Sequence, residues 1–329
     1  MTPATHRKFS VREFWLRALL TTTVGGSVLL AILASRRRGG VDECVGGGLP
    51  HVRFFQDADA HDLEYWQETI SNPLPLKQIS GIPRESRFLD LQPFHADSYP
   101  SGKVSDVHLA AVAKAPWLEE LRLAETCVTD DGIRDLTALR SLRVLRLSRT
   151  AVSDRALAYL ASLAKLEMLD LDHTRVTDEG VSHLTTLGAL RVLQLGNTKI
   201  SDEALVHISK LAALEDLYLK NDRVGDNGLH HLARLPKLEY LDLRSTRVTD
   251  EGLKALCQFP ALEIVRLDNC AISDAGIPRL AGIKSLELVD LYGAKGVTAA
   301  GIARLEELRP ELTICWNEKT DRWQLGADN

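Results

Sequence analysis

The chain spells out the same phrase every 24 residues, with Leu118, Leu142, Leu166, Leu190, Leu214, Leu238, Leu262 and Leu286 each opening one copy. Aligned, the copies read L-x-x-L-x-L-x-x-T-x-V-[ST]-D-x-G-L-x-x-L-x-x-L. One of them runs through Leu166, Leu169, Leu171, Thr174, Val176, Thr177, Asp178, Gly180, Val181, Leu184 and Leu187. The handful of aliphatic side chains in one copy cannot offset the entropy of ordering its backbone, so a single unit does not fold alone. Stacked units bury the same leucines against the copies above and below. The repeat therefore predicts an elongated stack with one continuous interior and an extended surface, and it argues against an obligatory active-site cleft.

The phrase changes period midway. Leu169 and Leu171 alternate as in a strand, whereas Val181, Leu184 and Leu187 recur at spacing three, which fits the buried stripe of a short helix. Between the two halves, Thr129, Ser153, Thr177, Ser201, Thr249 and Ser273 precede Asp130, Asp154, Asp178, Asp202, Asp250 and Asp274. These pairs predict helix starts, where the side chains accept from free first-turn amides and the carboxylate faces the positive end of the dipole. Two places after the aspartate stands a small residue: Gly132, Ala156, Gly180, Ala204, Gly228, Gly252 or Gly276. The expectation is a helix backbone lying too close to its own strand for a larger side chain.

The phrase resembles the leucine-rich repeat family, specifically the cysteine-containing class found in F-box proteins, bacterial effectors and membrane-anchored bacterial proteins, over about Ser86 to Trp316. The resemblance implies an α/β fold: a right-handed horseshoe solenoid with a parallel sheet on the concave face and helices on the convex face. It also implies a role in capturing other proteins. A second implied role, as substrate-recognition adaptor of a ubiquitin-ligase-like or effector system, needs a recruiting module that the sequence does not display. At the position where that class often carries cysteine stand Thr126, Thr150, Thr174, Thr198, Asp222, Thr246, Cys270 and Ala294, so a hydroxyl is expected to satisfy most of the buried turns. The units are also slightly short for the class.

Five segments follow along the chain. Residues 1–17 are basic, and residues 18–35 form an uncharged stretch flanked by Arg7, Lys8, Arg12 and Arg17 on one side and Arg36, Arg37 and Arg38 on the other. As a helix these 18 residues reach about 27 Å, enough to cross a bilayer. An uncleaved anchor is favoured over a cleaved signal peptide, because cutting after Ala34 or Ser35 leaves Ile32 or Leu33 where a small residue is needed. The basic residues are nearly balanced across the span, and the expectation leans towards repeats on the non-cytoplasmic side. Residues 36–85 read as a linker and N-terminal cap, with a short helix at 58–70; 86–316 as the repeats; 317–329 as a flexible tail.

A net charge of −5 offers no bulk attraction for nucleic acid, and no phosphate-binding glycine loop appears. Five cysteines lack C-x-x-C spacing. His61 among Asp57, Asp59 and Asp62 reads as solvated capping groups rather than metal ligands, and no nucleophile, base and orienting acid assemble. The expectation is a protein without catalytic activity, cofactor or small-molecule substrate.

Recognition is expected on the strand positions flanking the inward leucines. One column holds Arg122, Arg146, Asp170, Gln194, Tyr218, Asp242 and Arg266; its neighbour holds Val144, Met168, Val192, Tyr240 and Ile264. These positions differ from copy to copy while the framework does not, and Tyr218 and Tyr240, as rings on an exposed face, are the hot-spot candidates. Val144 and Val192 equally suit packing along the sheet. A further ladder of Arg175, Lys199, Arg223 and Arg247 invites an acidic partner, unless the aspartates and glutamates a few residues away neutralise it.

Overall fold

Each copy of the phrase contributes one three-residue strand to a single parallel sheet. The structure, a computed structural model, describes residues 82, 84, 86–92 and 104–316. The chain divides into two units, Met1–Trp66 and Gln67–Asn329, and every described residue belongs to the second. The basic leader, the membrane segment at 18–35, the helix at 58–70 with His61, and the tail at 317–329 all lie outside the described residues. Among the described residues no helix is long and apolar enough to cross a membrane.

The strands are β1 (Phe88–Asp90), β2 (Glu120–Arg122), β3 (Val144–Arg146), β4 (Met168–Asp170), β5 (Val192–Gln194), β6 (Asp216–Tyr218), β7 (Tyr240–Asp242), β8 (Ile264–Arg266), β9 (Leu288–Asp290) and β10 (Thr313–Cys315). They pair in chain order. Register follows the repeat: Leu121, Leu145, Leu169, Leu193, Leu217 and Leu241 align rung on rung and are fully buried. Leu89 opens the stack on β1, and β10 closes it. The sheet needs no covering on its inward face beyond its own repeat, because the aliphatic residues after each strand (Leu171, Val176, Val181, Leu184 and Leu187 in one copy) return beneath it. Short helices such as Asp154–Leu160, Asp202–Ile208 and Asp226–Leu232 line the other side, with 3-10 turns at Leu136–Ala138, His183–Thr186 and Asp274–Gly276.

The repeated aspartate does something different from the helix capping expected of it. Asp178 accepts from both the amide (2.7 Å) and the hydroxyl (2.7 Å) of Ser201 in the next unit. The same two-pronged clasp joins Asp106 to Thr129, Asp130 to Ser153, Asp154 to Thr177, Asp226 to Thr249, Asp250 to Ser273 and Asp274 to Thr298. Asp202, facing Gly225, keeps only the amide bond, at 2.7 Å. The hydroxyls cap weakly, at 3.4 Å for Ser201 and 3.2 Å for Thr249. The short charge-assisted bonds therefore run between units, and each helix start is tied to the one before it.

This clasp also corrects the reason for the small residue. A Cβ on Gly180 would stand 2.3 Å from Oδ1 and 2.9 Å from Cα of Asp154, and one on Gly228 would stand 2.6 Å from Oδ1 of Asp202, so the obstacle is the preceding unit's aspartate rather than the residue's own strand. Where Ala156 occupies the position, the Asp130–Ser153 amide bond still measures 2.7 Å, which shows that a methyl fits with a small adjustment.

A left-handed residue ends each strand turn: Glu125, Arg149, His173, Asn197, Asn221, Ser245, Asn269 and Gly293 have φ between 55° and 70°. Each non-glycine one is held there by an amide bond to the following unit, as from His173 to the carbonyl of Gly196 at 2.9 Å. The strain is over-determined by the stack. One residue later, the hydroxyls of Thr126, Thr150, Thr174 and Thr246 donate to the carbonyls of Leu123, Leu147, Leu171 and Leu243 at 2.6 Å, as expected for the buried turn.

Candidate functional site

The outward residues of the strands form two straight columns because the sheet is in register. Val144, Met168 and Val192 are consecutive rungs of the first column, followed by Asp216, Tyr240 and Ile264. Arg122, Arg146, Asp170, Gln194, Tyr218, Asp242 and Arg266 follow one another in the second. All twelve sequence-selected residues thus share one face. Arg122, Val144, Arg146, Met168, Val192, Gln194, Tyr218 and Arg266 are half-buried, whereas Asp170, Tyr240, Asp242 and Ile264 are buried.

That burial corrects two expectations. Tyr240 is 1% exposed rather than an open hot spot. Its ring packs against Tyr218, which lies diagonally across on the adjacent strand, with centroids 4.9 Å apart and planes inclined at 39°, since diagonal neighbours on parallel strands lie within reach of aromatic rings. Burial pushes both phenols well above their ordinary range. The aspartates of the second column are largely engaged by their own turns: Asp170 and Asp242 accept from the amides of Asp172 (3.1 Å) and Arg244 (3.0 Å), two residues on. Asp170 also accepts from the Ser148 hydroxyl at 2.8 Å, and Asp242 holds the Arg244 guanidinium at 2.5–2.9 Å. The sequence carries this signal as a short polar side chain at a strand end, the setting of an Asx turn.

The cations of the face differ sharply. Arg122 pairs with Glu120 (2.7 Å) and Asp90 (3.5 Å) and lies 4.8 Å over the Phe88 ring; Arg266 pairs with Asp290 (2.7 Å) and Asp268 (3.3 Å). Arg146 has no ion pair among the described residues, and its buried Nε has no hydrogen-bond partner there. Burial, then the Arg122 charge beside it, draws its proton affinity below the usual guanidinium value. Arg146 is therefore the spare donor of the face, framed by Val144 and Met168 on the neighbouring column.

Two carboxyls outside the twelve selected residues shape the electrostatics. Burial raises Asp216 to about 7, reinforced by Glu215 and Glu239, so near neutrality the apolar column passes through a half-protonated acid rather than a full charge. Asp172, at the rim, rises to about 7 through burial and the Asp170 charge. Among the described residues no group of three or more histidine, cysteine or acidic side chains is arranged to hold a metal.

Comparison with known proteins identifies the repeat. Curated protein sequences give no match. Two solved structures from Listeria monocytogenes are similar over 65% of this chain: internalin C2, 27% identical with 84% of that chain covered and a TM-score of 0.49, and an internalin, inlF, 19% identical with 71% covered and a TM-score of 0.48. The family described as leucine-rich repeat region matches residues 105–284, more than half of the sequence and the same stretch whose leucines align rung on rung, and the chain belongs to that family.

Proposed function

We propose that the protein is a non-enzymatic, membrane-tethered scaffold that captures a protein or peptide on the outward face of its sheet. The observation that carries this reading is Arg146, a half-buried guanidinium with an uncommitted buried Nε beside the apolar Val144 and Met168, a patch that Val192 continues on the next strand. A desolvated arginine next to an aliphatic patch supports one strong, directional contact surrounded by area that excludes water, the arrangement of an interface hot spot. Gln194 and Tyr218 extend the same column and supply further hydrogen-bonding groups. The tether is residues 18–35, with the repeats on the non-cytoplasmic side. The chain is read as a cysteine-class, membrane-anchored member of its family; Cys270 stands at the position of the turn threonines, its thiol donating to the preceding unit's Leu243 carbonyl at 3.0 Å.

The test is site-specific photocrosslinking of the full chain in its native cells. A photoreactive residue at Val192 or Gln194 is expected to yield a discrete protein adduct that Arg146→Ala abolishes, while the same residue at Arg134, exposed on the helix side, yields none. Equal adducts from both sides, or adducts indifferent to Arg146, would refute the assignment. Alkaline extraction should leave the protein in the membrane fraction, and deletion of 18–35 should release it. A membrane-impermeant maleimide should label the exposed Cys127 and Cys257 in intact cells, and their protection would refute the orientation.

A further inference from the structure

The two edges of the sheet are charged in opposite styles. Before the strands, charges alternate and pair along the stack: Arg143 bridges Glu119 (3.8 Å) and Glu167 (2.8 Å), and Arg191 meets Glu215 at 2.5 Å. After the strands stand Arg175, Lys199, Arg223 and Arg247, one per unit in four consecutive units, all exposed and none in an ion pair among the described residues. Their backbones are equivalent, each amide donating to the preceding unit at Val152 (3.0 Å), Val176 (3.2 Å), Ile200 (3.1 Å) and Val224 (2.8 Å). The row is therefore in register, with a rise of about 4.8 Å per unit and a length of about 14 Å.

The acids a few residues from this row form no ion pair with it. Asp178, Asp202, Asp226 and Asp250 are turned into the clasps with Ser201, Gly225, Thr249 and Ser273. Glu251 is taken by Lys254 and, at 3.1 Å, by Arg279, while Glu179 and Glu203 make no ion pair with the row. Two residues before each cation, across the inward-turned side chains of Thr174, Thr198, Asp222 and Thr246, lie the polar side chains of His173, Asn197, Asn221 and Ser245 in the left-handed turns. Asn221 donates its amide to Asn197 at 2.9 Å, so this second row is ordered as well.

We propose that this edge binds an acidic polypeptide segment in extended conformation, laid along the stack, at a site separate from the outward sheet face. A cation row matches a line of carboxylates, and a parallel row of amide and hydroxyl groups matches the N–H and C=O groups of a peptide backbone. Alternate side chains of an extended peptide recur about every 6.6 Å, within the adaptable reach of arginine and lysine over 4.8 Å rungs. A membrane surface would call for a plane of charge rather than a line. A single nucleic-acid strand would call for aromatic stacking platforms, which the row lacks apart from the imidazole of His173.

The test is fluorescence anisotropy of a labelled ten-residue peptide of alternating glutamate and serine with the purified full chain, in mild detergent. Saturable binding that weakens steeply with salt is expected. Combined Arg175→Glu, Lys199→Glu, Arg223→Glu and Arg247→Glu should reduce affinity at least tenfold, the four Gln substitutions should give a smaller loss, and Lys165→Glu with Arg234→Glu, exposed elsewhere, should leave it within twofold. Absence of binding to the native protein would overturn the proposal, as would unchanged affinity in the row variants with retained circular dichroism. Tighter binding of an oligothymidylate or of phosphatidylserine vesicles than of the peptide would also overturn it.

Discussion

Asp222→Thr should stabilise the protein, and more so as pH rises. Asp222 stands where most units have threonine, and its carboxyl is buried. It accepts from the Thr198 amide (2.9 Å) and hydroxyl (3.1 Å), while its second oxygen has no hydrogen-bond partner among the described residues. Burial lifts its pKa from 3.8 to about 8, and the nearby Asp172 and Asp178 add to the rise. A carboxyl whose folded value lies above its unfolded one binds more protons folded than unfolded between those values. Its contribution is fully present below about 4 and is lost as pH climbs towards about 8. At about 1.4 kcal/mol per tenfold change in proton affinity, the upper limit of that loss is about 6 kcal/mol. Relaxation of the turn and water penetration should bring the realised value to about 2–3 kcal/mol. Threonine removes the charge and restores the hydroxyl-to-carbonyl bond seen at Thr174, worth about 1 kcal/mol, at the expense of the bond from the Thr198 amide. Urea denaturation of both proteins at pH 5.0 and 8.5 checks this: the variant should match the native protein within about 1 kcal/mol at pH 5.0 and exceed it by about 2–3 kcal/mol at pH 8.5. A gain that is equal at the two pH values, or larger at pH 5.0, would show that the Asp222 proton is not what limits stability.

Other perturbations separate the elements of the stack. Tyr240→Ala should cost about 3–5 kcal/mol, as for a buried ring, whereas Gln194→Ala should stay within about 1 kcal/mol; denaturant midpoints distinguish them. Leu193→Asp, which places a charge among Leu169 and Leu217, should abolish the cooperative transition of the central units, and a full native circular dichroism spectrum would contradict the register. Gly228→Val should destabilise by more than about 2 kcal/mol because its side chain meets the Asp202 carboxylate and the end of the Leu205 side chain; in an Asp202→Ala background the same change should cost less, a coupling that a double-mutant cycle measures. Arg149→Gly should stabilise slightly, by up to about 1 kcal/mol, through relief of a left-handed backbone at φ 56°, and calorimetry would register the rise in melting temperature.

The family, the strand positions, the buried leucines and the unit boundaries were legible in the residues, because a 24-residue period allows each side chain to be assigned by its phase and apolar burial follows phase directly. Phase also places Arg122 through Arg266 on one face. It says nothing of which groups spend their hydrogen bonds where, since that depends on neighbours 22 to 27 residues away that only stacking brings within reach. The aspartates therefore read as helix caps until the fold aims them at the next unit's serine or threonine, and Asp170 and Asp242 read as recognition groups until their turns claim them. Tyr240 reads as exposed until the stack lays Tyr218, diagonal to it on the adjacent strand, against its ring. Arg146 and the post-strand row of Arg175, Lys199, Arg223 and Arg247 emerge by the opposite route: sequence distance suggests acids that could pair with them, and the stack leaves each of these cations without an ion pair among the described residues.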